Sequence, residues 1–110
     1  MSTDTGRYYI LESDEVRAVD LLTWAEWFEH HLEERIVTRT VVQPEITVST
    51  VFLGLDHSFS EIGPPILFET MVFGGLLDQE QLRYTTIAEA RAGHFAMVER
   101  VKRAEAGESF

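Results

Sequence analysis

The sequence predicts an α+β domain: a mostly antiparallel sheet of four to six strands with two helices packed on one face, in the order β-β-α-β-β-β-(β)-α. Three observations predict it. Two stretches repeat apolar residues at helical spacing behind good N-caps. Several runs rich in β-branched and aromatic residues are joined by links too short for a parallel crossover. The 110 residues, 45% hydrophobic and 25% charged, suffice for one globular domain.

Residues 1–6 are small and polar, and residues 106–110 follow the last helical pattern; both are expected to be loose ends of a single domain spanning 1–110. Arg7–Leu11 reads as a first strand and Val16–Val19 as a short second one, with a turn at 12–15. Asp20 fits an N-cap, because its carboxylate can accept from free first-turn amides. A helix over Leu21 to about Leu32 places Leu21, Trp24, Phe28 and His31 on one face, widened by Ala25 and Leu32. Trp27 lies off that stripe. Packing at its flank is the expectation; exposure would make Trp24 and Trp27 an interface. His30 and His31 are adjacent rather than at i,i+4, so they do not form a helical metal pair.

Arg35–Val42 and Ile46–Gly54 predict an antiparallel hairpin across Pro44. Leu55–Pro65 is a loop, and Gly63-Pro64-Pro65 sets an extended start for the strand Ile66–Phe73. Along that strand Ile66, Phe68, Thr70 and Val72 face one way, and Leu67, Glu69, Met71 and Phe73 the other. Leu82–Thr85 is a short last strand. Thr86 and Glu89 form a capping-box pattern that opens a helix over 87–105. Its buried face is Ile87, Ala90, His94, Met97, Val101 and Ala104, with Val98 alongside. Gly93 within it implies a close approach to the sheet or to a ligand, and Gly107 fits the helix stop.

Composition excludes several functions. With no cysteine there is no disulfide, thiolate zinc site or cysteine nucleophile. That absence, and an acidic N-terminus without an apolar signal region, favour a cytoplasmic setting. No run is long and apolar enough to span a bilayer. Nineteen acidic against nine basic residues, a formal charge of −10, disfavour direct nucleic-acid and anionic-membrane binding. The same charge suits a protein partner with a basic surface. There is no phosphate loop, dinucleotide fingerprint or nucleophile elbow, and no cofactor is implied.

Four polar residues are the candidate ligand-binding cluster: Asp56, His57, Glu69 and His94. Glu69 interrupts an apolar strand and His94 an apolar helical stripe. If the last helix crosses the sheet face that carries Glu69, the two meet as a charge-assisted pair. Asp56 fits a turn cap that accepts from amides two residues on. The alternatives are a structural role, a polar anchor for a small ligand, a metal site from His57, His94 and a carboxylate, or acid–base catalysis by Glu69 or His94.

The segments LLTWAEWFE (21–29), VSTVFLGLDH (48–57), PPILFETMVFGG (64–75) and RYTTIAEARAGH (83–94) together resemble a family of small bacterial and phage proteins. The resemblance covers most of residues 8–98. It implies no activity and no residue role; it implies a phage or prophage accessory protein that inhibits host defence by binding, while the acidic charge adds a nucleic-acid-handling complex as a partner and the polar cluster adds sequestration of a small ligand. The leading expectation is therefore a non-enzymatic binding protein, homodimeric through a partly uncovered sheet face. A small metal-assisted hydrolase or acid–base enzyme, and a structural subunit of an assembly, are the alternatives.

Overall fold

The computed structural model describes residues 8–58 and 62–107. Strands β1 (Tyr8–Glu12) and β2 (Glu15–Val19) form a hairpin; helix α1 (Leu21–His30) and a 3-10 turn (Glu33–Arg35) follow. Then come β3 (Ile36–Gln43), β4 (Ile46–Phe52), β5 (Phe68–Phe73), β6 (Gln81–Tyr84) and helix α2 (Ile87–Glu105). The fold is α+β, as the sequence predicts. The strands form two antiparallel sheets, β1-β2 and β3-β4-β5-β6. Of the loose ends expected at 1–6 and 106–110, all but residues 106 and 107 lie outside the described residues.

Local chemistry accounts for the joints. The β1–β2 turn puts both Ser13 and Asp14 at positive φ, the geometry that matches the twist of a tight hairpin. Asp20 caps α1 by accepting from the Thr23 amide at 2.8 Å. Thr86 and Glu89 make the expected reciprocal box: Thr86 Oγ1 accepts from the Glu89 amide, and the Glu89 carboxylate accepts from the Thr86 amide. The Thr23 amide holds the Asp20 carboxyl below its ordinary range, and the Thr85 hydroxyl and amide, joined by the Thr86 amide, do the same for Glu89.

Helix α2 crosses all four strands of the larger sheet. Met97, Val98 and Val101 bury themselves against Ile46, Val48 and Val72. At the other end of the same face, Phe52, Phe68 and Ala90 pack with Ile10, Leu11 and Trp27, so α1 and β1 close that end of the core. The Trp27 ring meets Phe52 edge-on at 5.8 Å. Gly54 at φ +81° lets α1 come down on the chain: a Cβ there would stand 2.9 Å from both Trp24 Nε1 and Phe28 Cε1.

Two expectations change. Trp27, placed off the stripe of α1, is its buried residue at 6% exposure, while Leu21 is exposed. The packing reading of Trp27 holds, and it is not an exposed interface residue. Trp24 is half-buried, stacked on Phe28 and tilted against Tyr8. The helix also ends at His30, so Leu32 lies beyond it and is exposed. The cause is tertiary: α1 meets only the end of the core, and the largest side chain turns toward it.

Candidate functional site

The structure separates the four candidate polar residues into three places. Asp56 Oδ1 accepts from the Ser58 amide at 2.8 Å and the Ile66 amide at 2.9 Å. The first is the turn bond expected of it; the second ties the loop to the start of the β5 segment. His57 Nδ1–H donates to the Leu55 carbonyl at 2.8 Å, and its amide donates to the Ile66 carbonyl at 3.0 Å. Asp56 and burial together, burial foremost, push the Tyr9 phenol up. This pair clamps a loop.

His94 is fully buried, at 0% exposure. It does not meet Glu69. Strand alternation puts Thr70 and Val72 under α2 and turns Glu69 to the opposite face, where its carboxylate accepts from Arg83 Nε at 2.9 Å. In place of a carboxylate, His94 finds threonines. Its Nε2 lies 2.8 Å from Thr40 Oγ1 and its Nδ1 2.8 Å from Thr50 Oγ1, which in turn bonds Thr70 Oγ1. Desolvation holds the imidazole below its ordinary pKa, in the neutral form. A neutral ring needs one donor and one acceptor, and the threonine hydroxyls rotate to satisfy either tautomer. Strands β3, β4 and β5 each contribute one threonine, so the chain ties three strands to the helix. Single-sequence reading finds the histidine but not its partners, because mid-strand threonines carry no signal that they converge.

Among the described residues no three His, Asp or Glu side chains gather as metal ligands. The metal reading, which needs His57, His94 and a carboxylate at one point, loses its geometric basis, since these side chains point into different environments. Gly93 is explained by packing rather than by a ligand: a Cβ there would run into the Tyr84 ring, whose hydroxyl is buried with no hydrogen-bond partner among the described residues.

Two surface features remain. A groove of about 420 Å³ between α1 and β1 has Ile10 and Trp27 at its floor and Glu12, Glu26, His30 and His31 around it. His30 and His31 use Nδ1–H to bond the carbonyls of Glu26 and Trp27. Their adjacency hides this shared groove from a spacing search.

The second feature is the face of the four-stranded sheet turned away from α2. Its cross-strand rows follow from the register. Val41, Thr47 and Phe73 form one; Arg39, Ser49, Met71 and Gln81 the middle one; Ile36, Val51, Glu69 and Arg83 the third. Neither helix packs on it among the described residues. Val41 is 63% and Phe73 50% exposed. Arg39 is exposed and has no carboxylate partner among the described residues. Two arginines against one glutamate make this face net +1 on a chain of −10. No helix of the described residues is long and apolar enough to cross a membrane. No protein-family model, curated protein or solved structure matches the chain.

Proposed function

We propose that the chain is a small acidic, non-enzymatic binding protein that acts through the uncovered face of its four-stranded sheet. The observation that carries this reading is that face itself. It leaves Val41 and Phe73 in water and Arg39 without a carboxylate partner among the described residues, while α2 packs on the other face of the same sheet. Exposed apolar side chains grouped on one sheet face favour a covering partner. The polar residues that would serve catalysis are instead engaged in loop and core hydrogen bonds. The rest of the surface is strongly negative, so a further protein partner would present a basic surface, as expected of a phage or prophage accessory protein acting on a host complex.

Native mass spectrometry of the protein isolated from its own host tests this. The expected result is a defined complex that the Val41→Asp/Phe73→Asp variant, folded by circular dichroism, reduces to the bare chain. A complex unchanged by that variant, or no complex at all, would refute the reading.

A further inference from the structure

Resting on that reading, we infer that the occupant of the uncovered face is a second copy of this chain. The two sheets stack face to face about a two-fold axis parallel to the strands, between β4 and β5.

Charge singles out this face for self-association. Two copies at −10 repel over most approaches, but here each presents Arg39 and Arg83 against Glu69. Area allows it. Four strands about 4.8 Å apart and about 20 Å long give a footprint of roughly 400 Å². The two stacked faces together then cover on the order of 800 Å², the size of a weak, concentration-dependent dimer.

The register then selects the axis. A two-fold perpendicular to the strands, through the middle row, lays Arg39 on the partner's Arg39 and turns Phe73 toward the partner's Glu69. Both contacts are unfavourable. A two-fold parallel to the strands keeps each row at its own height and exchanges the strands, so that β3 lies over β6 and β4 over β5. Val41 then falls one strand from the partner's Phe73 in the same row, and the two exposed apolar residues cover each other. Arg39 falls one strand and one row from the partner's Glu69. With sheets about 10 Å apart, their Cα atoms are about 13 Å apart, the span of an extended arginine–glutamate pair. Glu69 accepts from Arg83 of its own chain and from Arg39 of the second copy, which gives Arg39 a carboxylate partner twice per dimer.

Sedimentation velocity over a concentration series, with charge reversals, tests the arrangement. The wild type is expected to dimerise. Arg39→Glu, which leaves the Glu69–Arg83 pair intact, and Glu69→Arg should each weaken the dimer by about tenfold or more. An equimolar mixture of the two variants should recover dimers to within about threefold of wild type, because each Arg39–Glu69 contact is then complementary. Circular dichroism of each variant checks folding, and Arg39→Glu carries the test alone if Glu69→Arg does not fold. A monomeric wild type at high concentration overturns the inference. So do dimers indifferent to Arg39→Glu, or dimers of wild type with Arg39→Glu tighter than wild type alone, which would mark the perpendicular axis. If the wild type is monomeric yet Val41→Asp/Phe73→Asp still releases a host polypeptide, this inference fails while the binding reading stands. If that variant releases nothing, both fail.

Discussion

His94 shows how one residue reports its surroundings. It sits in neutral form among Thr40, Thr50 and Thr70, with no opposing charge to stabilise an imidazolium. Its folded pKa lies below the unfolded value of about 6.5. Below that pH the unfolded chain binds a proton that the folded chain resists. The contribution is therefore fully present above about pH 6.5 and is lost as pH falls through the folded pKa. Thermal denaturation from pH 7.5 to 5 should show a steeper loss for wild type than for His94→Gln, and equal slopes would contradict the burial argument. Thr50→Val removes the hydroxyl that joins His94 to Thr70 and is expected to cost about 2 kcal/mol in urea denaturation. Gly93 offers a sharper test. Gly93→Ala should destabilise by about 1 kcal/mol with Tyr84 present, because the Cβ strikes the ring. In a Tyr84→Ala background it should stabilise, because alanine is the better helix former. A double-mutant cycle without that change of sign would dismiss the close-approach account.

At the scale of elements, the two helices owe their stability to different sources. Helix α2 buries a stripe along its length and begins in a complete capping box. Thr86→Ala is expected to remove about 1 kcal/mol by denaturant titration. Helix α1 is as apolar in sequence, yet Trp27 is its one buried residue and Leu22 is 81% exposed. Trp27→Ala should cost about 3–5 kcal/mol, whereas Leu22→Ser should fall within about 0.5 kcal/mol. Comparable losses at the two positions would mean that Leu22 is covered in solution.

For the whole molecule, the governing feature is asymmetry. One face of the larger sheet carries a helix and the other carries none among the described residues. The radius of gyration, 15.6 Å, exceeds the roughly 13 Å of a compact domain near this length, in keeping with an elongated, thin shape of 56 × 30 × 20 Å. Hydrogen exchange at Met71 and Val51 measured against concentration should therefore show protection that rises as the face is covered, and exchange independent of concentration would argue for a face that stays open.

The sequence by itself determined the element order, both N-caps, the buried stripe of α2 and the alternation along β5, because these depend on period and on neighbours a few residues away. Even the packing role of Trp27 was legible from its size. What it did not determine was the long-range partner of Glu69 or His94. Glu69 and His94 share an apolar setting in sequence, but strand parity sends Glu69 to Arg83 on one face and brings Thr70 to His94 on the other. The buried angle of α1 and the reason for Gly93 likewise depended on which distant ring came to rest there. Local periodicity fixes which way a residue points relative to its neighbours; only the tertiary register of strand against strand, and helix against sheet, decides what it meets.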